Sequence, residues 1–347
     1  MHILHCTYSM EVGGTETMLV DIMNAQVARG DRATLLIVND RESAQVIDTI
    51  SPKVKIVRFH RREGSAPLLM MARLNMLIAR LRPDIVHVHH KKFCRLIRVR
   101  RNRMIYTVHA LNITMEYSAG VAMAAITDIV ADDIRSRLPG AKVNTVPNGI
   151  IIADVIRRPD RKPQIFRLVQ VGRLTPELKG QDIAIMALGQ LKRRGIVNVE
   201  ITFIGTGTGL DALKQLAADE GVADRVHFAG LRDREYIYSH LCNYDAMIHP
   251  SRYEGFGLTV AEGMAAGLPL ILTEHDGPWE VADNGRLCLS GKNGDAGSFA
   301  DAIASLMADY PAALARAAEA LDYVRRFDIS HTVDAYDHYY RNILSSI

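Results

Sequence analysis

Cysteine and long apolar runs are scarce in this chain of 347 residues. The four cysteines lie far apart, without a C-x-x-C pair or a spacing to histidine that suits zinc, which predicts reduced, buried thiols and excludes a disulfide framework. The longest candidate apolar run, residues 265–273, has half of the roughly 18 residues that a membrane-spanning helix needs. The sequence therefore predicts no such helix. The cysteines are Cys6, Cys94, Cys242 and Cys288.

The first residues, MHILHCTYSMEVGG, show neither a basic leader nor a signal-peptide core, so they are interpreted as a first strand and a cytoplasmic location is expected. Hydrophobic residues make up 48% of the chain and charged residues 23%, which is typical of folded proteins and excludes a disordered or collagen-like chain. The length predicts two domains of roughly 150–200 residues each.

Charge is distributed unevenly along the chain. Residues 1–150 hold 21 Lys and Arg against 13 Asp and Glu, and most of this excess lies in residues 61–103. Two basic clusters dominate that region, one around Arg61 and Arg62 and one at residues 91–103. The first half is therefore expected to meet an anionic partner.

A helix predicted between the two clusters carries Arg73 and Arg80 on one face among Leu, Met and Ile. A basic patch beside an apolar helix suits docking on an anionic membrane leaflet. An ordinary helix packed on a sheet, with solvated arginines, explains the pattern equally well. Nucleic acid is disfavoured because Phe93 is the only aromatic residue in the second cluster.

Short β-rich runs alternate with helical patterns, which is typical of parallel βαβ units. We predict an α/β fold of two doubly wound, Rossmann-like domains, residues 1–150 and 151–327, with a linker at 157–163. A last helix, 328–347, is expected to pack back toward the first domain. Two such sheets would face each other across a cleft at the carboxyl ends of their strands, where their ligands bind. Strands are predicted at residues 2–7, 34–38, 54–58, 85–89, 104–108, 122–126, 143–146, 166–171, 199–204, 226–228, 246–249, 269–272 and 285–287.

The most informative segment is 249–269, HPSRYEGFGLTVAEGMAAGLP. It predicts a strand end, a glycine-rich loop and a helix that starts near Leu258. The first N–H groups of that helix, those of Leu258 and Thr259, would form an anion site reinforced by the helix dipole. Glycines in the loop let a ligand approach the backbone closely. The loop residues beside this site are Gly255, Phe256 and Gly257.

Two carboxylates flank the predicted anion site, Glu254 in the loop and Glu262 on the helix. Carboxylates accept hydrogen bonds from hydroxyl groups, so the arrangement suits a phosphate flanked by two sugars. With this Glu-x7-Glu element the sequence resembles the retaining, nucleotide-sugar-dependent glycosyltransferases of family four, which have the GT-B fold. The resemblance implies that Glu254 binds the donor sugar and Glu262 the ribose, in a UDP- or GDP-sugar.

A second match to the family is the segment 172–180, GRLTPELKG. The resemblance places Arg173 at a strand end and Lys179 at a helix start, where both cations neutralise the departing nucleoside diphosphate. A suitably placed Asp-x-Asp pair is missing, which agrees with a mechanism that needs no metal. The alternative for Lys179 is an ion pair with Glu177 on the surface.

Glycine-rich turns follow two predicted strands. Gly205 lies in the segment 204–210, IGTGTGL, where the family lines its nucleotide pocket with a similar turn. Such a turn is also typical of NAD-dependent dehydrogenases, although the next strand has no acidic residue at its end to hold an NAD ribose. In the first domain, Gly13 and Gly14 resemble a family loop whose amides face the diphosphate.

Histidines gather near strand ends of the first domain. His109 follows the strand 104–108, and the family resemblance implies a catalytic or donor-binding role for it, although Ala110 stands where many members have Asp. His87, His89 and His90 suggest a metal, but a nearby carboxylate set is missing, so they are expected to line an acceptor cleft or the core.

Together with these residues, the family resemblance implies a retaining glycosyltransferase that needs no metal and transfers a sugar from a nucleoside diphosphate sugar to a hydroxyl acceptor. A lipid-linked or polysaccharide intermediate of cell-envelope glycan synthesis, at the inner membrane surface, suits the basic first domain. Two alternatives remain open. One is an NAD-dependent oxidoreductase, and the other is a nucleotide-sugar-binding protein without catalysis.

Overall fold

The computed structural model describes residues 1–61, 67–112, 120–160 and 163–346. The chain divides into two compact units, Met1–Ile150 with Phe327–Ile347, and Ile151–Arg326. The predicted basic residue Arg62 and the linker residues Arg161 and Lys162 lie outside the described residues. All four cysteines are buried and free, as predicted.

Both units are built on parallel sheets whose central strands are apolar and largely buried, as expected for sheets covered by helices on both faces. The strands are β1 (His2–Thr7), β2 (Arg32–Asn39), β3 (Lys55–Arg61), β4 (Ile85–Val88), β5 (Met104–Val108), β6 (Ala122–Ala125), β7 (Val143–Thr145), β8 (Phe166–Val171), β9 (Val199–Ile204), β10 (Val226–Gly230), β11 (Ala246–His249), β12 (Leu270–Thr273) and β13 (Leu289–Gly291).

Helices lie between most successive strands of the described residues, and the last helix belongs to the first unit. They are α1 (Gly14–Ala28), α2 (Ala44–Ile47), α3 (Pro67–Leu81), α4 (Lys92–Leu96), α5 (Asp128–Arg137), α6 (Pro176–Lys179), α7 (Gln181–Arg193), α8 (Leu210–Asp219), α9 (Arg234–His240), α10 (Leu258–Ala265), α11 (Gly277–Val281), α12 (Ala296–Ala308), α13 (Tyr310–Tyr323) and α14 (Ile329–Ser345).

The two sheets share one winding pattern. Across the described residues the strand order is β3-β2-β1-β4-β5-β6-β7 in the first unit and β10-β9-β8-β11-β12-β13 in the second. The order reverses between β1 and β4 and between β8 and β11, and ligands of doubly wound sheets bind outside the strand ends at such switch points. The loops after β8 and β11 are therefore the first place to look for a site.

The predicted strand at residues 285–287 is wrong, because the last strand of the second sheet is β13. Gly285 adopts φ 83°, and its N–H donates to the carbonyl of Trp279. The N–H of Leu287 donates to Ala282 in the same way, so this stretch closes the end of α11 as a turn. The indole of Trp279 fills the space beside Gly285, where a Cβ would lie 2.1 Å from the ring.

Within the first unit, α14 packs against α1 and sends tyrosines toward the sheet. The hydroxyl of Tyr340 lies 2.7 Å from Nδ1 of His87, and that of Tyr336 lies 2.9 Å from Oγ1 of Thr107. Both tyrosine rings are at most 1% exposed. The helix is therefore fastened to β4 and β5 by buried hydrogen bonds as well as by apolar contact.

Candidate active site

The loops after β8 and β11 are joined by an arginine. Arg252 forms two hydrogen bonds to the carboxylate of Asp182, at 2.8 and 2.7 Å, and its backbone N–H donates to Leu178 at 2.9 Å. Between them the chain passes through Gly180, at φ 67°, where a Cβ would lie 1.9 Å from the carbonyl oxygen of Pro250. Only glycine fits this approach, which holds the start of α7 against the β11 loop.

This packing brings Lys179 and Glu254 together. Lys179 Nζ forms an ion pair with Oε2 of Glu254, so the expected alternative partner Glu177 is not the one it uses. Lys179 ends α6 rather than beginning a helix, since α7 starts two residues later. The Lys179 and Glu254 side chains are 25% and 20% exposed, which leaves both within reach of a ligand.

The charge state of Glu254 follows from its neighbours. Burial raises its pKa, but the interaction with His249, whose Nε2 lies 3.7 Å from Glu254 Oε2, and the charge of Lys179 outweigh burial and lower the pKa to about 2. His249 itself is 2% exposed, and burial lowers its pKa. At neutral pH Glu254 is therefore ionised and His249 is a neutral imidazole.

Helix α10 begins at the predicted place, directly after this ion pair. Its N-cap is Gly257, at φ 83°, and the Gly257 carbonyl accepts the N–H of Val260. The amides of Leu258 and Thr259 come first in the helix, and such groups have no acceptor inside it. They offer donors to an anion at the end of the helix where the dipole is positive. Glu262 follows in the second turn and is half-buried.

The other predicted residues of the second unit lie around the same strand ends. Arg173 follows β8 and is exposed, with no carboxylate in ion-pair contact among the described residues. Phe256 is buried, at 2% exposure. Gly205, at φ 144°, follows β9, and a Cβ there would lie 2.0 Å from the carbonyl oxygen of Gly172. The turn after β9 therefore packs on the backbone that leads to Arg173.

A cavity of about 460 Å³ opens beside the turn after β9. It is lined by the turn after β9, by α8 and by β10, and it combines apolar walls with one lysine and one histidine. The volume falls in the range of small-molecule sites. Its lining includes Gly205, Thr206, Leu210, Lys214, His227 and Phe228.

Sequence reasoning missed a buried carboxylate in this region. Asp276 is 7% exposed and caps α11, where its Oδ1 accepts the N–H of Trp279 at 3.1 Å. Its Oδ2 accepts the hydroxyl of Ser251 at 3.0 Å. An aspartate directly before Gly-Pro is typical of a helix N-cap, so the sequence did contain a signal for the capping role of Asp276. Its contact with the β11 loop had no signal in the sequence.

The predicted residues of the first unit have a different setting. Gly13, with extended backbone at φ −171°, is the N-cap of α1, and Gly14 is the first residue of that helix. His109 follows β5; burial lowers its pKa to about 4, and its Nε2 is buried without a hydrogen-bond partner among the described residues. Its ring stacks on that of His89, with 5.7 Å between centroids. A neutral imidazole is thus held in place by ring contact.

The remaining histidines form a buried cluster. His5, His87 and His89 have ring nitrogens within 4.8 Å of one another. His87 contacts Tyr340 through one nitrogen and Thr107 through the other, at 2.7 and 2.6 Å. Since hydroxyl groups occupy both nitrogens of His87, these side chains are engaged in core hydrogen bonds. His90, two residues after the end of β4, is half-buried.

The basic region of the first unit has an apolar element at its centre. On α3, Leu74 and Ile78 are fully buried, whereas Leu68 and Leu69 are 75% and 67% exposed. The guanidinium of Arg73 lies over the ring of Phe59, at 5.3 Å from its centroid. Among the described residues no helix is long and apolar enough to cross a membrane.

Comparison with known families agrees with this geometry. Residues 12–154 match the model described as Glycosyltransferase Family 4, and residues 154–321 match the model described as Glycosyl transferases group 1. The chain belongs to glycosyltransferase family four. The predicted resemblance is thereby confirmed, and the two matches together include every predicted site residue.

Curated relatives of this family-four chain differ in what they are named for. A glycogen synthase of Mycobacterium tuberculosis (strain CDC 1551 / Oshkosh) is 33% identical over 222 residues, covering 63% of this chain and 52% of the relative. A GDP-mannose-dependent alpha-(1-6)-phosphatidylinositol monomannoside mannosyltransferase of the same strain is 28% identical over 222 residues, covering 57% of each. The chain thus spans about half the length of these relatives.

Solved structures resemble the family-four chain over its whole length. The structure of Anabaena Alr3699/HepE in complex with UDP-glucose has a TM-score of 0.81 at 20% identity and covers 100% of both chains. The structure of WaaG, a glycosyltransferase involved in lipopolysaccharide biosynthesis, has a TM-score of 0.75 at 17% identity and covers 96% of this chain and 98% of that one. At these identities the likeness shows the fold, and it confirms the predicted GT-B class with two Rossmann-like domains.

Proposed function

We propose that this chain is a retaining glycosyltransferase that moves a sugar from a nucleoside diphosphate sugar to a hydroxyl acceptor. The observation that carries the proposal is the ion pair of Lys179 with Glu254 at the start of α10, in a chain of family four. An ammonium group, helix-start amides and an ionised carboxylate at one strand edge supply the two kinds of contact that a nucleotide sugar needs.

The cations and amides act on the leaving group. When the bond between the anomeric carbon and the phosphate oxygen breaks, negative charge develops on the diphosphate. Arg173, Lys179 and the amides of Leu258 and Thr259 stabilise that charge, because preorganised donors act most strongly where charge develops. These groups take the part that a metal ion plays in other transferases, so the proposed reaction requires none.

The carboxylates orient the donor. Glu254, which is ionised at neutral pH, accepts hydrogen bonds from the sugar hydroxyls, and Glu262 accepts them from the ribose. The base lies in the cavity beside Gly205. Relatives are named for both kinds of donor, since one is GDP-mannose-dependent and a structural neighbour was solved with UDP-glucose. The base is therefore left as uracil or guanine.

The acceptor hydroxyl attacks the anomeric carbon from the face that the diphosphate leaves, which retains the configuration. Its proton passes to the leaving phosphate oxygen, so no separate protein nucleophile is required. From the first unit, Gly13 and Gly14 are proposed to contribute backbone donors for the diphosphate. His109, a neutral imidazole, is proposed as a catalytic or donor-binding side chain near the sugar.

The acceptor is proposed to be a lipid-linked or polysaccharide intermediate of the cell envelope, reached from the cytoplasmic side of an anionic membrane. Supporting this are the basic region 61–103 and the exposed Leu68 and Leu69 on α3. Co-sedimentation with vesicles of anionic and of zwitterionic lipid tests it. Binding should prefer anionic vesicles and should fall when Leu68 and Leu69 are both replaced by serine. The control V197S, which removes an exposed apolar side chain from the second unit, should have no effect.

Thermal shift against UDP, GDP, ADP, NAD and their sugar conjugates, with and without magnesium, tests the donor proposal. A ligand at 100 times its Kd stabilises the folded state by about 2.7 kcal/mol. Stabilisation by one nucleoside diphosphate without magnesium supports the transferase. A response to NAD alone would favour the oxidoreductase, which the family match does not favour. Donor binding without sugar transfer to any acceptor or water would favour a binding protein.

A further inference from the structure

The carboxyl group of Asp276 links the loop after β12 to the loop after β11. It accepts one hydrogen bond from Trp279 within its own helix start and one from Ser251, which is fully buried in the other loop. Among the described residues, no cationic side chain is in ion-pair contact with it. A buried carboxyl group held only by a hydroxyl and an amide can exist in either protonation state at this place.

The start of α11 rests directly on the loop that carries Glu254. The N–H of Gly277 donates to the carbonyl of Glu254 at 3.1 Å. A Cβ on Gly277 would lie 2.2 Å from the carbonyl oxygen of Gly255, and one on Gly257 would lie 2.8 Å from Cγ of Pro278. Moving Asp276 would therefore move the backbone that precedes the amides of α10.

The charges around Asp276 come from several elements. Glu254 of the β11 loop disfavours its ionisation, and Lys179 of α6 favours it but is already paired with Glu254. The thiol of Cys288, before β13, also interacts with it, and α10, which packs on α11, carries Glu262. Burial raises the pKa of Asp276 to about 7, against the opposing hydrogen bonds from Trp279 and Ser251.

We propose that Asp276 is a positioning residue that holds the Glu254–Gly257 loop for the diphosphate and takes up a proton when the nucleotide binds. The inference rests on the proposed function. A diphosphate at the start of α10 brings negative charge toward this carboxyl group, and like charge favours its neutral form. The neutral acid keeps both contacts, because its O–H donates to Ser251 while the other oxygen still accepts the N–H of Trp279.

Calorimetric titration of the full chain with UDP and with GDP, at pH 6 and pH 8 in two buffers of different ionisation enthalpy, tests the proposal. The variant D276N keeps both hydrogen bonds without an ionisable group. Wild type should take up protons near pH 7, and its Kd relative to that of D276N should rise about fivefold from pH 6 to pH 8. Since both proteins meet the same ligand, ionisation of the phosphate cancels in the ratio. D295N, at the exposed N-cap of α12, should behave like wild type.

The outcomes separate the two proposals. If neither nucleotide binds to wild type at either pH, the proposed function fails. If wild type and D276N bind with the same pH dependence and take up the same number of protons, the inference about Asp276 is overturned and the function stands. S251A provides a second test, since the bond from that hydroxyl is stronger to the ionised carboxylate than to the neutral acid and its loss therefore favours the neutral form. The pH at which binding weakens should then move upward, and an unmoved profile in a folded S251A protein would also overturn the inference.

Discussion

The carboxyl ends of the strands carry opposite chemistry in the two sheets. After β8 and β11 of the second unit, an ammonium group and an ionised carboxylate stand partly exposed at the strand ends. After β4 and β5 of the first unit, His89 and His109 are neutral imidazoles, each pKa lowered by burial. The same topology thus provides a charged surface in one unit and an uncharged, buried network in the other. Charge is what a diphosphate requires, which is why the donor is proposed for the second unit.

The largest effect is expected from removing the charged carboxylate of the second unit. E254A should lower sugar transfer about a thousandfold, because a group that contacts the donor at the reacting centre is lost. Steady-state kinetics with the donor found by thermal shift measures this. E177A, an exposed glutamate on the same short helix as Lys179, is the control and should keep activity. Full activity in a folded E254A protein would remove Glu254 from the site.

The backbone that brings the charges together can be broken separately. G180A should destabilise the second unit by about 3 kcal/mol, since φ is 67° and the added Cβ would overlap the carbonyl of Pro250. Urea unfolding measures the change. G195A, at φ 80° with open space around the Cβ, is a matched control for left-handed backbone alone and should lose about 1 kcal/mol. Equal losses in the two variants would mean that the contact with Pro250 is unimportant.

Acid should affect the first unit more than the second. Burial lowers the pKa of His5 to about 4, below its ordinary value of 6.5, so the unfolded chain binds a proton that the folded chain does not. Stability is then full above pH 6.5 and falls by about 1.4 kcal/mol per pH unit for each such histidine as pH drops toward 4. Urea unfolding from pH 7.5 to 5 should show this slope. H5Q should reduce the slope, and an unchanged slope in a folded H5Q protein would contradict this account.

How much of the fold and of the candidate site could be predicted from the sequence depends on how local each sequence signal is. The apolar strands and the Glu254 to Glu262 spacing lie within short stretches, and both the fold class and the family followed from them. The hydrogen bonds of Arg252 to Asp182 and of Ser251 to Asp276 join residues far apart in sequence, and no local sequence pattern predicts them. The misplaced strand at 285–287 has a different cause, because the turn that closes α11 leads into β13 within a few residues and the sequence does not separate the two.

The smallest expected effect concerns the hydroxyl that ties α14 to the histidine cluster. In Y340F, Nδ1 of His87 loses its partner at a fully buried position, which should cost about 1–2 kcal/mol of stability in the first unit. The charged strand ends of the second unit are untouched, so the Kd for a nucleoside diphosphate should stay the same. Urea unfolding and calorimetric titration of one preparation measure both quantities. Weaker nucleotide binding with unchanged stability would mean that donor binding depends on the neutral histidine network of the first unit as well as on the charged residues of the second unit.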